Sequence, residues 1–348
     1  MKKKLVFIRK SDTPFGGAER YLRRLTQLLS QQGYEVQTLN SNFPRYLPSW
    51  VETMLFNTVV CHRKQKDAFY FSLDRITCPD VYRAGDGVHR AFLKTRGFTL
   101  NPLHFCYLWL EKRTFRNAKA IIANSEMVKK EIIDFYAIDP MKIKVIYNGV
   151  PIPPPPNKLQ AKTKLSEIFC FDKELPVILF VGSGFRRKGV EEFLHILAKL
   201  RRPFISFVVG KEKRMSRYQK LARRLEISDK VFFTGPRGDI DHFYEASDIF
   251  LFPTRYEPFS NVVLEALSYG DVVFTTRQNG ASEILDENFV MHSPDNDVVV
   301  EKIDRLLEDT KYLQEQQTKA RKLSEKFSIE RNVDETVKLL DKIQKNLS

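Results

Sequence analysis

Two carboxylates, Glu257 and Glu265, stand eight positions apart in Glu257-Pro258-Phe259-Ser260-Asn261-Val262-Val263-Leu264-Glu265. The residues between them are mostly apolar, with one small polar pair. A helix over Phe259 to Tyr269 puts Glu257 just before its N-terminus and Glu265 about two turns further on. A carboxylate, unpaired backbone N–H groups and the positive end of a helix dipole then meet at one spot. That spot suits a phosphate and a polyol bound together. Either residue could also be an ordinary surface carboxylate. Glu265, however, precedes Ala266-Leu267 inside an apolar helix, and a carboxylate withdrawn from water needs a partner. A ribose diol is one such partner, because both of its hydroxyls can donate.

A second chemical signal is Val181-Gly182-Ser183-Gly184-Phe185-Arg186-Arg187-Lys188-Gly189, between a strand and a helix. Glycines allow close backbone approach, and consecutive cations suit a diphosphate: Arg offers a bidentate fork and Lys a point charge. The segment is not a P-loop, since no G-K-[ST] follows at the required spacing. The alternative is a solvated basic turn. Gly16 and Gly17, in Ser11-Asp12-Thr13-Pro14-Phe15-Gly16-Gly17-Ala18-Glu19-Arg20, could likewise free backbone N–H groups for a ligand, or simply make a tight turn. Neither loop reads G-x-G-x-x-G, which disfavours a nicotinamide cofactor. In Tyr82-Arg83-Ala84-Gly85-Asp86-Gly87-Val88-His89, a carboxylate at Asp86 and an imidazole at His89 could orient or deprotonate a hydroxyl. An Asp-Gly turn is the alternative there.

From Arg90 to Arg116, six cations (Arg90, Lys94, Arg96, Lys112, Arg113, Arg116) accompany one acid, Glu111. Phe92, Phe98, Phe105, Tyr107, Trp109 and Phe115 are interleaved with them. Basic plus aromatic is the composition of a membrane-surface segment. It also suits single-stranded nucleic acid, or an ordinary amphipathic helix with a basic outer face. The whole chain agrees in sign: 57 Lys and Arg against 43 Asp and Glu leave a net +14, which favours an anionic partner without choosing among them.

These residues need a scaffold. The 348 residues, 43% hydrophobic, suffice for two domains with buried cores. Leu5–Ile8, Val36–Leu39, Ala68–Leu73, Ala120–Ala123 and Lys144–Tyr147 read as strands. A helix over about 18–31 carries Tyr21, Leu22, Leu25, Leu28 and Leu29 on one face, and Ser125 can cap another over Glu126–Tyr136. Pro151-Ile152-Pro153-Pro154-Pro155-Pro156 then makes a semi-rigid extended linker. Beyond it, Val177–Val181, Ile205–Val209, Val231–Thr234, Ile249–Phe252 and Val272–Thr275 restart the alternation, and the tail from about Asp295 reads as helices. The expected architecture is α/β: a doubly wound, Rossmann-like parallel-sheet domain over 1–150, a linker over 151–157, a second such domain over 158–328, and a final helix over 329–348 able to pack back on the first domain. Ligands are expected at the carboxyl ends of the strands, in a central cleft that the two domains face. Cys61, Cys78, Cys106 and Cys170 show no C-x-x-C spacing and are expected as reduced thiols of a cytoplasmic protein. The apolar run after Met1 is too short for a signal peptide. No stretch approaches the roughly 20 apolar residues that span a bilayer.

Together these segments resemble the family 4 glycosyltransferases of the GT-B fold, over nearly the whole chain. Gly16 to Arg20 is similar to their first glycine loop. Asn124-Ser125-Glu126 and Tyr147-Asn148-Gly149-Val150 are similar to elements near the end of their first domain. Val181 to Gly189, Gly210, Gly235, Phe252-Pro253-Thr254 and the E-x7-E element are similar to their second. The resemblance implies a retaining hexosyltransferase acting on a nucleotide-diphosphate sugar, expected to be UDP-linked glucose. It implies Arg187 and Lys188 on the diphosphate, Glu265 on the ribose, Glu257 on the sugar hydroxyls, and Asn261 and Val262 amides on a phosphate. It also implies that Gly16, Gly17 and Ser260 complete the donor set and that Asp86 would stand with Glu257 near the reacting centre. Arg90, Lys94, Arg96, Lys112 and Arg113 would face a lipopolysaccharide core or lipid-linked acceptor at the anionic inner surface of the cytoplasmic membrane.

Such enzymes are expected to need no metal and no other cofactor. D-x-D triplets bind divalent metal in some glycosyltransferases, but Asp239-Ile240-Asp241 and Asp295-Asn296-Asp297 each open a helical stretch, where capping explains the acids. Pro258 stands where small residues are usual and Asn279-Gly280 where Gly-Gly is common. A mannosyl- or N-acetylhexosaminyltransferase, or a GT-B sugar-nucleotide epimerase, shares the nucleotide site. A nucleic-acid binder leaves the E-x7-E element unexplained, and nucleic acid is not an expected partner.

Overall fold

The structure, a computed structural model, describes residues 4–10, 17–44, 46–96 and 99–345. The chain forms two compact units, Met1–Asn148 with Ile329–Ser348, and Gly149–Ser328.

The first unit holds β1 (Lys4–Ile8), β2 (Glu35–Leu39), β3 (Ala68–Ser72), β4 (Val81–Ala84), β5 (Ala120–Ala123) and β6 (Ile143–Val145). Its helices are α1 (Gly17–Gln31), α2 (Ser49–His62), α3 (His89–Arg96), α4 (Pro102–Asn117) and α5 (Glu126–Tyr136). The sheet is parallel with order β2-β1-β3-β4-β5-β6. Strand periodicity sorts its residues between two faces. Leu5, Phe7, Phe69 and Phe71 pack with Tyr21, Leu22, Leu25 and Leu29 of α1, and Leu28 lies against them. Val6, Ile8, Ala68 and Tyr70 pack with Phe56 and Val60 of α2. Ser125 caps α5 through its hydroxyl, which accepts from the Val128 amide at 3.1 Å.

The second unit holds β7 (Val177–Val181), β8 (Ile205–Val209), β9 (Val231–Gly235), β10 (Ile249–Phe252), β11 (Val272–Thr276) and β12 (Val290–Met291). Its helices are α6 (Lys158–Phe169), α7 (Phe185–Lys188), α8 (Val190–Lys199), α9 (Met215–Arg224), α10 (Ile240–Ala246), α11 (Asn261–Ser268), α12 (Val298–Glu308) and α13 (Thr310–Ser324). The sheet is again parallel, with order β12-β11-β10-β7-β8-β9. The last helix, α14 (Ile329–Lys345), belongs to the first unit, where Ile329, Val333 and Leu340 join the cluster around β1 and α1.

The cysteines depart from expectation. Cys61 and Cys78 form a disulfide, so two of the four are not reduced thiols. They lie 17 positions apart on different elements, at the end of α2 and between β3 and β4. Packing of Phe56 and Val60 on the sheet brings their Cα atoms to 5.6 Å, a proximity that spacing along the chain does not encode. Cys106 and Cys170 are free. Among the described residues no helix is long and apolar enough to cross a membrane.

Candidate active site

In the second sheet β7-β8-β9 run one way and β10-β11-β12 the other, so the order reverses between β7 and β10. In an open parallel sheet such a reversal opens a ligand crevice at the carboxyl ends of the strands. The basic glycine loop follows β7, and Glu257 follows β10.

Local backbone chemistry draws these two segments together. Gly189 has φ +81°, and a Cβ there would lie 1.8 Å from the Pro253 carbonyl oxygen, so only glycine permits the approach. The Arg187 carbonyl accepts from the Arg255 amide at 2.9 Å and the Thr254 hydroxyl at 3.1 Å. On the other side, the Glu257 amide donates to the Gln278 carbonyl and the Gly280 amide donates to the Glu257 carbonyl, both at 2.9 Å. The chain after β11 thereby fixes the backbone of Glu257. Asn279, at the centre of that bridge, is fully buried and donates from Nδ2 to Thr275 Oγ1 at 3.0 Å.

Arg187 Nη1 and Lys188 Nζ both donate to Glu257 Oε2. Arg187 Nη1 also donates to the Tyr256 carbonyl at 3.0 Å, and the Lys188 ammonium lies 5.0 Å from the Phe252 ring centroid. The Lys188 and Glu257 side chains are only 11% and 15% exposed, whereas Arg187 is 37% exposed. Burial pushes the Glu257 carboxyl up, but the charges and hydrogen bonds of Lys188 and Arg187 outweigh it and hold the group below the usual carboxylate range. Burial pulls the Lys188 ammonium below its ordinary value, and the Glu257 charge works against that. The cations that sequence assigns to a diphosphate and the acid it assigns to a sugar are thus one ionic cluster.

Helix α11 starts at Asn261, two residues later than expected, with Ser260 at its N-cap. Ser260 is buried, yet its side chain makes no hydrogen bond to the helix amides. Val262 lies in the first turn and Glu265 in the second. The Glu265 carboxylate accepts from the Tyr244 hydroxyl at 3.0 Å, and the Tyr244 ring stacks on Tyr269 at 5.8 Å and 12°. The two carboxylates therefore have different partners: Glu257 the cations, Glu265 a phenol. Sequence reasoning missed Tyr244, which stands 21 positions before Glu265 in another helix.

The D-x-D acids sit at helix starts, but they do not cap. Asp239 is at the N-cap of α10 without a side-chain cap bond; Arg237 grips its carboxylate at 2.8 and 2.6 Å. The Asp241 carboxylate hydrogen-bonds Tyr269. Asp297 pairs with Lys199 at 2.5 Å, and the cap at α12 comes from Asn296 Oδ1, which accepts from the Val298 amide at 3.0 Å. Bidentate guanidinium and ammonium charges outcompete a neutral amide for these carboxylates. Among the described residues no group of three His, Cys, Asp or Glu stands together as a metal site would require.

In the first unit, Asp86 is exposed on the loop between β4 and α3. Two carbonyls pin that loop: Gly85 accepts from Asn124 Nδ2 and Gly87 from Arg75 Nη2, each at 3.0 Å. His89 turns inward, away from the role sequence suggested. Its Nε2 lies 2.9 Å from His104 Nδ1, and burial, with help from the Arg75 charge, drives its pKa down to about 3. Beneath the loop sits Glu111, fully buried. It accepts from the amides of His89 at 2.7 Å and Arg90 at 3.3 Å, from Arg75 Nε at 3.0 Å and from Tyr136 Oη at 2.6 Å. Read in sequence as the one acid of a basic segment, Glu111 instead anchors the start of α3; its place beside Leu110 on an apolar stripe is the signal for that.

With Glu111 buried, Arg90, Lys94, Arg96, Lys112, Arg113 and Arg116 are exposed without an acid of their own segment among them. The aromatics divide. Phe105 and Trp109 are 58% and 45% exposed, while Phe115 is in the core. Arg113 lies 5.6 Å from the Trp109 ring, and Arg90 and Lys94 lie 5.5 and 4.5 Å from the Phe135 ring. Gly17 starts α1. Gly16 and Phe98 fall outside the described residues.

Two parallel sheets of this kind, with a basic glycine loop facing an E-x7-E helix, define a glycosyltransferase of the GT-B fold. Family models agree. One described as "Glycosyl transferases group 1" matches residues 161–323, and one described as "Glycosyltransferase Family 4" matches residues 68–152. The chain thus carries a glycosyltransferase domain of each kind, one in each unit. It is 27% identical over 307 residues to the lipopolysaccharide glucosyltransferase WaaG of Escherichia coli (strain K12), covering 79% of this chain and 81% of that one. The crystal structure of WaaG, a glycosyltransferase involved in lipopolysaccharide biosynthesis, superimposes with a TM-score of 0.79 at 19% identity, over 96% of this chain and 99% of that one. Anabaena Alr3699/HepE in complex with UDP and glucose gives a TM-score of 0.73 at 20% identity, over 98% of this chain and all (100%) of that one.

Proposed function

We propose that this glycosyltransferase moves glucose from UDP-glucose, with retention of anomeric configuration, onto a lipopolysaccharide core or lipid-linked glycan at the inner face of the cytoplasmic membrane. The observation that carries the reading is the Arg187–Lys188–Glu257 cluster at the reversal between β7 and β10. The similarity to a lipopolysaccharide glucosyltransferase and the fold shared with a UDP and glucose complex support the choice of donor and acceptor.

The chemistry follows from charge. As the bond from the anomeric carbon to the diphosphate oxygen breaks, negative charge grows on the leaving diphosphate and positive charge on the sugar ring. Arg187 and Lys188 exchange the Glu257 carboxylate for the diphosphate and neutralise it. The amides of Asn261 and Val262 and the α11 dipole add to this. Glu257, released from the cations, accepts from the sugar hydroxyls beside the electron-poor carbon. Glu265, held by Tyr244, accepts from the ribose. Asp86 is assigned with Glu257 to catalysis, and Gly16 and Gly17 complete the donor set. The exposed cations and aromatics of α3 and α4 take the anionic membrane surface and acceptor. This scheme assigns leaving-group neutralisation to side chains, with no metal or other cofactor.

Calorimetric titration with UDP-, GDP- and ADP-sugars, followed by NMR of the product anomer, tests it. UDP-glucose is expected to bind and its α-anomer to be retained in the product, at rates unchanged by excess EDTA. Binding confined to GDP- or ADP-sugars, an inverted product, or activity lost in EDTA and restored by Mg²⁺ would overturn the corresponding part.

A further inference from the structure

The strongest concentration of charge lies outside every segment used so far. Residues 211–224 contain seven cations (Lys211, Lys213, Arg214, Arg217, Lys220, Arg223, Arg224) and one acid, Glu212. This short stretch supplies six of the chain's net +14 charges. All seven cations are exposed. Arg217 pairs with Glu191 at 2.9 Å, and among the described residues none of the other six forms an ion pair. Glu212 is engaged elsewhere: its carboxylate accepts from the amides of Phe185 at 3.1 Å and Arg214 at 3.0 Å.

Helix α9 turns Tyr218, Leu221 and Ala222 inward and Arg217, Lys220, Arg223 and Arg224 outward, with Lys211, Lys213 and Arg214 in the turn before it. The inner face of α9 and the turn before it are latched to the glycine loop. The Tyr218 ring meets Phe185 at 5.2 Å, the Lys211 amide donates to Ser183 Oγ at 3.0 Å, and the Gly184 amide donates to the Lys211 carbonyl at 3.3 Å. Unpaired cations this dense repel one another, and an opposing sheet of negative charge relieves that repulsion.

We propose that α9 is a second, purely electrostatic contact for an anionic lipid surface, carried by the donor-binding unit itself. A lipid surface fits better than a small anionic ligand, because the cations spread along a helix and the turn before it instead of converging. Nucleic acid fits less well, since no large hydrophobic or aromatic side chain is exposed between 211 and 230 to stack on bases. The same lack distinguishes α9 from α4, which offers Phe105 and Trp109 for insertion. Adsorption through α9 is therefore reversible and salt-sensitive. It holds the glycine loop, and hence the donor, beside the membrane. The proposal adds to the membrane reading of α3 and α4 but stands on different residues.

The test compares K220Q/R223Q/R224Q with K112Q/R113Q/R116Q and wild type, as full chains with unchanged melting temperature. Each is co-sedimented with phosphatidylglycerol-containing and with pure phosphatidylcholine vesicles. Loss of three cations at roughly fivefold each predicts about a hundredfold weaker partitioning of the α9 variant to anionic vesicles at low salt. The difference should fade as salt rises, and transfer to a water-soluble acceptor should be unchanged. Wild-type partitioning of the α9 variant alongside loss in the α4 variant would overturn this proposal and leave the membrane reading of α4 intact. No partitioning by the wild-type protein would overturn both. Equal loss from neutral and anionic vesicles would overturn the electrostatic basis.

Discussion

The Lys188–Glu257 pair allows an asymmetric double-mutant cycle. Glu257→Gln leaves Lys188, buried against Phe252, without a carboxylate. Breaking a buried pair in this way costs about 3–5 kcal/mol, and the 15% exposure of Glu257 places the expected loss near the lower end. Lys188→Met removes the buried cation but leaves Glu257 paired with Arg187, so about 1 kcal/mol is expected. In the double variant Arg187, more than a third exposed, is solvated, and no buried charge is stranded. The double variant should therefore be more stable than Glu257→Gln alone, with a coupling of about 2 kcal/mol. Urea denaturation of the four proteins measures this. Calorimetry with UDP should in parallel show at least tenfold weaker binding in Lys188→Met, because a charge-assisted bond contributes about 1.5–3 kcal/mol. Additivity within about 0.5 kcal/mol would refute the claim that these side chains form one cluster. Unchanged UDP affinity would remove Lys188 from the diphosphate.

Other expectations concern separate parts of the molecule. Glu265→Gln and Tyr244→Phe should mainly raise KM for the donor with kcat little changed, whereas Glu257→Gln should lower kcat; steady-state kinetics that reverse this split would exchange the roles of the two acids. Reducing Cys61–Cys78, which closes a loop of 17 positions, should cost about 3 kcal/mol, read as a fall in Tm with dithiothreitol that a Cys61→Ala variant no longer shows. His89 titrates at about 3 when folded, below its unfolded value, so its contribution is present above about pH 6.5 and is lost as pH falls. Denaturation midpoints between pH 7 and 5 should drop accordingly, at up to about 1.4 kcal/mol per pH unit, and His89→Gln should flatten that slope.

Strands β7 and β10 were legible in the sequence because helices cover both faces of a parallel sheet, which leaves an unbroken apolar run. β4 was not. Its Val-Tyr-Arg-Ala carries a charge at Arg83 that is buried against Asn148 and the Tyr21 ring, and only its neighbours β3 and β5 reveal it as a strand. The site divided in the same way. Arg187, Lys188, Glu257 and Glu265 each stood out by residue type and local setting. That one carboxylate oxygen receives both cations across about 70 positions is tertiary information. So are the Tyr244 contact, the inward turn of His89, the burial of Glu111 and the Cys61–Cys78 bond. In each of these cases the partner lies on another element, where no periodicity connects the two.

Helix α14 sets an order of assembly during synthesis. Residues 149–328 are contiguous and can close their core as soon as they leave the ribosome. The N-terminal sheet, although made first, lacks Ile329, Val333 and Leu340 against Leu5, Phe7 and Leu25 until the last turns emerge. The Tyr34 hydroxyl finds the Asp341 carboxylate, at 2.7 Å, only then. The half made first is therefore the half completed last. Chains stalled near residue 328 should present a finished second unit and an N-terminal sheet with apolar surface still open, a nascent state suited to chaperone capture.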